Sequence, residues 1–158
     1  MRDRTYDVVV YGATGFTGRL VAEHMLDKYG VGQGVSWAIA GRSRTKLEAV
    51  RKEIGAPDSL PLVIADASDP ASLLAMAKST RAVITTVGPY QLYGEGLVAA
   101  CAEAGTDYVD LCGEPAWMAE MIAKYDAKAK ASGARIVFWC GFASIPFGVW
   151  LGSLMPWI

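Results

Sequence analysis

The stretch Tyr6-Asp-Val-Val-Val-Tyr-Gly-Ala-Thr-Gly-Phe-Thr-Gly18 decides the fold of this chain. Its first half, residues 6–11, is a short and mostly apolar run that ends at a glycine, which is typical of a strand buried on both faces. After the glycine-rich turn, apolar residues recur at helical spacing from Arg19 to Tyr29, and Gly30 ends that pattern. The sequence therefore predicts a strand, a glycine turn and a helix.

The same alternation continues along the chain. Further strands are predicted at residues 35–40, 62–65, 82–87, 108–111 and 136–139, with helical patterns between them. Strands that alternate with helices predict a parallel sheet covered on both faces by right-handed crossovers. We therefore expect an α/β domain with a doubly wound parallel sheet of six strands, the Rossmann fold, over residues 1–145.

Composition excludes several classes of protein. With 158 residues, 53% of them hydrophobic, the chain is not disordered, and 15 Lys and Arg against 16 Asp and Glu leave no basic surface for nucleic acid. Three cysteines without zinc-type spacing and a single histidine predict no metal site. The N-terminus lacks the apolar core of a signal peptide, so we expect a cytoplasmic protein with a small-molecule partner.

The last part of the sequence is unusual because residues 136–158 carry no charge. That length is compatible with a membrane span, but glycines and prolines interrupt it. We expect a strand and then a short apolar helix at Phe147–Leu154. Its apolar side chains would fold back over the sheet or be buried in a homodimer, and peripheral contact with a membrane is the alternative. These side chains are Phe147, Trp150, Leu151 and Leu154.

The three glycines of the opening stretch are spaced as in a dinucleotide-binding turn. Gly12 would form the tight turn, Gly15 would let a pyrophosphate approach the backbone, and Gly18 would let the helix pack closely on the sheet. The free N–H groups of the helix would hold the phosphates, assisted by the hydroxyls of Thr14 and Thr17. The alternative is a glycine-rich turn kept only for packing.

The residues after the second predicted strand favour NADP(H) over NAD(H). NAD-binding domains usually place an acid there for the ribose 2′-hydroxyl, and no acid occurs between Asp27 and Glu48. The guanidinium of Arg42 could instead pair with a 2′-phosphate, and Ser43 could add a hydroxyl. The alternative is that Arg42 is a solvated residue at the start of a helix.

Other candidates follow the third to sixth strands, at the edge where ligands bind in open α/β sheets. Asp66 with Ala67 would contact the adenine, or Asp66 would cap the next helix. The turn Gly88-Pro89-Tyr90 would border the nicotinamide ribose, with Tyr90 as a proton donor or a packing wall. Cys112 and Cys140 would line the substrate side or serve as small core residues.

Taken together, these residues resemble the saccharopine dehydrogenase-like oxidoreductases, a family that includes the trans-acting enoyl reductases of lipid metabolism. The resemblance implies an NADPH-dependent reductase that transfers hydride to an unsaturated (enoyl) or imine-type substrate, which would be a small or lipid-like molecule. It also implies cofactor contacts from Gly12, Ala13, Thr14, Gly15, Phe16 and Thr17, from Arg42, and from Gly88, Pro89 and Tyr90. The matching stretches are Tyr11-Gly-Ala-Thr-Gly-Phe-Thr-Gly18, Ala40-Gly-Arg-Ser43, Val87-Gly-Pro-Tyr90, Leu92-Tyr-Gly-Glu95, Tyr108-Val-Asp-Leu-Cys-Gly-Glu114, Cys140-Gly-Phe142 and Ser144-Ile-Pro146.

Two departures from the family limit what can be transferred. Relatives typically read Gly-Phe-Asp-Ser-Ile-Pro-Ser-Asp where this chain reads Gly141-Phe-Ala-Ser-Ile-Pro-Phe-Gly148. Ala143 and Gly148 stand at the positions of the two acids and Phe147 at that of the second serine, so no catalytic residue is assigned. Relatives are also longer and carry a second region that completes the substrate site. Residues 146–158 would accordingly be either an apolar C-terminal helix or the beginning of that region. A non-catalytic module that binds NADPH or a partner is the second hypothesis.

The assignment of Arg42 gives a testable prediction. Replacing Arg42 by alanine should weaken NADPH binding by about 10- to 100-fold, because a charge-assisted hydrogen bond contributes about 1.5–3 kcal/mol. NADH binding should change little, since NADH has no 2′-phosphate. Fluorescence titration with both cofactors is the measurement, and equal losses for the two would contradict the assignment.

Overall fold

The computed structural model describes residues 4–141 of the chain. The helix predicted at Phe147–Leu154 and the boundary predicted between residues 145 and 146 lie outside that range, and so do the homodimer and membrane contacts predicted for those side chains. Over residues 4–141, no helix has both the length and the apolar character that crossing a bilayer requires.

The strands are β1 (Tyr6–Tyr11), β2 (Trp37–Gly41), β3 (Leu62–Ile64), β4 (Thr80–Thr85), β5 (Asp107–Asp110) and β6 (Ile136–Val137). They form a single parallel sheet with the order β3-β2-β1-β4-β5-β6. This is the doubly wound sheet that the alternating pattern predicts, with β1 beside both β2 and β4. The pairs Tyr11 with Ala40 and Tyr11 with Thr85 bring the carboxyl ends of these three strands level.

The helices are α1 (Phe16–Tyr29), α2 (Arg44–Glu53), α3 (Pro70–Ser79), α4 (Tyr90–Tyr93), α5 (Glu95–Ala104) and α6 (Pro115–Ser132). They cover both faces of the sheet because successive strand residues point to opposite sides. Val10 lies in an apolar cluster with Met25 and Leu47 from α1 and α2, whereas Val9 and Tyr11 lie in the cluster of the opposite face. That opposite cluster contains residues of α3, α5 and α6.

The ends of β2, β3, β4 and β5 differ from the predicted ends by one or two residues, and two further local details differ from the sequence-based expectation. The sequence predicts a strand at residues 136–139, but β6 ends at Val137. The backbone of Trp139 has a φ of 63°, and its N–H donates to the Asp110 carboxylate at 2.8 Å rather than to a strand. The second difference is the four-residue helix α4, which the sequence pattern does not predict.

Candidate cofactor site

A cavity of about 550 Å³ opens at the carboxyl edge of the sheet, above the ends of β1, β2, β3 and β4. This is the edge at which open α/β sheets bind ligands. Of the residues predicted to bind the cofactor, seven line the cavity, and seven further residues join them. The lining consists of Tyr11, Gly12, Thr14, Gly15, Gly41, Arg42, Asp66, Ala67, Ser68, Thr86, Val87, Gly88, Leu92 and Tyr93.

The three glycines of the β1–α1 turn are required for different reasons. Gly12 has a φ of +91°, and a Cβ at Gly18 would lie 2.1 Å from the Gly12 carbonyl oxygen. These two positions therefore need glycine for the turn and for the close packing of α1. A Cβ at Gly15 would meet only the Gly12 carbonyl, at 3.4 Å, and Gly15 has an ordinary φ of −85°. Packing therefore does not explain why residue 15 is a glycine, whereas close approach of a ligand to the backbone of Gly15 does.

The N-terminus of α1 is open towards this turn. Helices α2 and α3 are capped by side chains, Ser43 and Asp69 respectively, but Gly15 gives α1 no side-chain cap. The backbone N–H groups of residues 16–18 donate to no acceptor within residues 4–141. Free N–H groups and the positive end of the helix dipole favour an anion such as a phosphate.

Arg42 is exposed and lines the cavity at the end of β2, as its predicted role requires. Ser43 is different, since its hydroxyl accepts a hydrogen bond from the Lys46 N–H at 3.4 Å and caps α2. Ser43 does not line the cavity. The structure therefore places the guanidinium, and not the neighbouring hydroxyl, at the mouth of the site.

Asp66 does not cap the helix that follows it. Its Oδ1 accepts hydrogen bonds from the Ser68 N–H at 2.9 Å and from the Ser68 hydroxyl at 2.7 Å, while Asp69 caps α3 by accepting from the Ala71 N–H. The two bonds from Ser68 hold the pKa of Asp66 below its ordinary value. Asp66 is therefore an ionised group in a tight turn that faces the cavity, opposite in charge to Arg42.

The loop after β4 is held by a residue from the loop after β5. The Glu114 carboxylate accepts from the Tyr90 N–H and from the Gln91 N–H, each at 2.9 Å, and so caps α4. Glu114 forms no side-chain cap on its own helix, α6. The hydrogen bonds of Glu114 are therefore with a different helix. Glu114, from the loop after β5, thus fixes the turn that begins at Gly88.

Tyr90 points into the core and not into the cavity. It is 4% exposed, its hydroxyl donates to the Thr85 carbonyl at 3.3 Å, and that hydroxyl accepts from the Leu111 N–H at 3.4 Å. Its ring packs against Trp117 with centroids 5.6 Å apart. Burial raises the pKa of Tyr90 well above its ordinary value. The geometry therefore favours a packing role for Tyr90 over a role as a proton donor.

Asp110, at the end of β5, organises the neighbouring loop. This carboxylate is 3% exposed and accepts from the Tyr108 hydroxyl at 2.7 Å, the Trp139 N–H at 2.8 Å and the Cys112 N–H at 3.1 Å. Cys112 is fully buried in the core and Cys140 is half-buried, and burial raises the pKa of both thiols. Neither thiol lines the cavity. Over residues 4–141, no cluster of His, Cys, Asp and Glu suited to a metal is present.

Six of the predicted contact residues do not line the cavity, namely Ala13, Phe16, Thr17, Ser43, Pro89 and Tyr90. Ala13 is buried in the core, so its side chain has no access to a ligand, whereas Phe16 and Thr17 are exposed. Conversely, sequence reasoning missed Tyr11, Thr86 and Val87, which look like ordinary strand residues. It also missed Leu92 and Tyr93. Their exposure on α4 could not be predicted, because the sequence pattern does not predict α4 itself.

Comparison with known proteins finds relatives over most of this chain. The family model described as the saccharopine dehydrogenase NADP binding domain matches residues 8–137. The trans-acting enoyl reductase of Mycobacterium bovis is 50% identical over 146 residues, which is 91% of this chain and 34% of that protein. The trans-acting enoyl reductase of Mycobacterium ulcerans is 49% identical over 144 residues, or 90% of this chain and 34% of that protein. The chain thus spans about a third of the length of these curated relatives.

Solved structures share the fold. Saccharopine dehydrogenase (L-Glu forming) from Saccharomyces cerevisiae has a TM-score of 0.74 at 16% identity, covering 96% of this chain and 31% of that one. The triphenylmethane reductase of a Citrobacter species, complexed with NADP(H), has a TM-score of 0.60 at 18% identity, covering 84% of this chain and 48% of that one. The family match, to an NADP-binding domain, identifies NADP(H) as the cofactor.

The different reasons for the glycines lead to a prediction. Gly18→Ala should lower the free energy of unfolding by about 1–3 kcal/mol, because its Cβ collides with the Gly12 carbonyl. Gly15→Ser should leave that free energy unchanged or raise it, because serine is a good N-cap, yet weaken NADPH binding by at least about 10-fold by occupying the phosphate site. Urea unfolding and NADPH titration are the measurements. A loss of stability in Gly15→Ser, or unchanged affinity, would contradict this account.

The contact of Glu114 with α4 gives a second prediction. Glu114→Gln keeps the size of the side chain but leaves one of two N–H groups without an acceptor, so stability should fall by about 1–3 kcal/mol. NADPH affinity should fall with it, since the turn that starts at Gly88 is no longer fixed. Glu120→Gln, which removes only an exposed pair with Lys124 on the same helix, is the control and should cost less than about 1 kcal/mol. Equal effects of the two substitutions in urea unfolding would refute the capping role.

Proposed function

The chain belongs to the saccharopine dehydrogenase NADP-binding domain family, and on that premise we propose that it is the cofactor-binding part of an NADPH-dependent oxidoreductase acting on an enoyl substrate. The observation that carries the proposal is the cavity at the carboxyl edge, where the uncapped N-terminus of α1 and the Arg42 guanidinium face the same space. The 50% identity to trans-acting enoyl reductases supports an unsaturated substrate.

In this proposal, different residues of the cavity bind different parts of the cofactor. The N–H groups at the start of α1 and the backbone of Gly15 bind the pyrophosphate, with the Thr14 hydroxyl beside them. Arg42 pairs with the 2′-phosphate, and the Asp66–Ser68 turn with Ala67 borders the adenine. Gly88, on the turn held by Glu114, borders the nicotinamide ribose. Bound NADPH supplies a hydride at the end of the cavity near Gly88.

The substrate side of the proposed site is apolar. Leu92 is 72% exposed and Tyr93 is 48% exposed, and both line the cavity together with Val87. Large apolar side chains exposed beside a cavity are typical of a surface that receives an apolar ligand. This supports a lipid-like enoyl substrate over a charged imino acid. No described residue is assigned as the proton donor.

The alternative is a module that binds NADPH without catalysis. It is favoured by Ala143 and Phe147, which stand where relatives carry an aspartate and a serine, and by Tyr90, whose hydroxyl is used within the core. The two functions make the same prediction for NADPH binding and different predictions for turnover.

Turnover in the presence of candidate substrates separates the two functions. We expect a protein in which this chain is followed by the second region of its relatives to oxidise NADPH with enoyl thioesters and not with imino acids. With NADPH deuterated at the transferable position, deuterium should appear on the β-carbon of the reduced thioester. NADPH binding without oxidation by either class of substrate would favour the non-catalytic module, and oxidation with imino acids alone would contradict the enoyl assignment.

A further inference from the structure

Tyr11 is a buried residue that opens on the cofactor cavity. It is the last residue of β1 and is 3% exposed, and its ring belongs to the same apolar cluster as Ala40 and Ala65. Tyr11 is nevertheless one of the residues that line the cavity, next to Gly12. The ring is therefore part of the core, whereas the phenolic end of the side chain meets the space proposed for the cofactor.

No hydrogen bond joins the hydroxyl of Tyr11 to another residue within residues 4–141. The buried tyrosines Tyr90 and Tyr108 do have partners for their hydroxyls, in Thr85 and Asp110 respectively. The Tyr11 hydroxyl is not among the fully enclosed polar atoms of that range, so it is open to the cavity that Tyr11 lines and can bond with a ligand there. Phenylalanine would fill the space of the Tyr11 ring equally well. Packing accounts for the ring of Tyr11 and leaves its hydroxyl unexplained.

Groups of both charges act on this hydroxyl. Arg42 at the end of β2 and Asp66 after β3 line the same cavity as Tyr11 and act electrostatically on it. Burial raises the pKa of Tyr11 to about 12, with Asp66 adding to the shift and Arg42 opposing it. The hydroxyl consequently keeps its proton at neutral pH and is able to donate to a ligand as well as accept from one.

We propose that Tyr11 binds the adenosine half of NADP(H), its hydroxyl forming a hydrogen bond to the cofactor between Arg42 and the Asp66–Ser68 turn. This inference rests on the proposed arrangement of the cofactor, in which those two groups take the 2′-phosphate and the adenine. A phenolic hydroxyl donates to a phosphate oxygen or a ring nitrogen and accepts from an amino group. The 2′-phosphate offers the phosphate oxygens, and the adenine offers ring nitrogens and an amino group.

Tyr11→Phe tests the proposal because it removes the hydroxyl and keeps the ring. We expect NADPH affinity to fall about 3- to 10-fold, as for the loss of one hydrogen bond. The melting temperature without cofactor should stay the same or rise, since no protein partner loses a bond. Tyr29→Phe is the matched control, because Tyr29 is half-buried at the C-terminal end of α1 and does not line the cavity. The Tyr29→Phe variant should bind NADPH with the affinity of the wild type.

Parallel titrations with NADPH and NADH identify the group that Tyr11 contacts. A loss confined to NADPH points to the 2′-phosphate, and an equal loss for both points to the adenine or its ribose. If Tyr11→Phe binds both cofactors as the wild type does, the inference is wrong while the proposed function stands. If the wild-type chain itself fails to bind NADPH, the proposed arrangement of the cofactor is wrong and the inference falls with it.

Discussion

The carbonyl oxygen of Gly12 is the atom on which the rest of the site depends. Gly18 lies so close to it that only a residue without a Cβ fits there, and the Thr86 hydroxyl donates to it at 3.4 Å. Strand β1, helix α1 and the end of β4 therefore meet at one point. Because this contact fixes where α1 begins, it also places the uncapped N-terminus of α1, at Gly15, on the cavity.

The cavity on either side of that point has two different walls. Beside β2 and β3 the wall is polar, with Arg42, Asp66 and the Tyr11 hydroxyl. Beside β4 it is mainly apolar, with Leu92 and Tyr93 from α4. A dinucleotide has the same asymmetry when it lies across a sheet, since its phosphorylated adenosine needs charged and hydrogen-bonding partners. The nicotinamide end instead meets the substrate, so the apolar wall suits a hydrocarbon chain.

Local sequence was sufficient to predict the main architecture, and distant contacts explain what it could not predict. The run from residue 6 to residue 18 carries its strand, turn and helix in its own composition, and alternation gave the six-stranded parallel sheet. Helix α4 was missed because its cap, Glu114, comes from another loop. Strand β6 ended early because Trp139 donates to Asp110. Tyr11 was missed because a tyrosine that ends an apolar strand looks the same in sequence whether or not its hydroxyl reaches a cavity.

The joining of the loops after β4 and β5 constrains how this sequence can diverge. Glu114 reaches two N–H groups that lie 23 and 24 positions earlier in the chain, and Tyr90 returns a bond to Leu111. An insertion or deletion in either loop would displace one partner from the other, so lengths there can change only together. The segment between α1 and β2 lies at the opposite edge of the sheet and takes no part in that coupling, since it bonds with Thr5, Asp7 and Val8 at the start of β1.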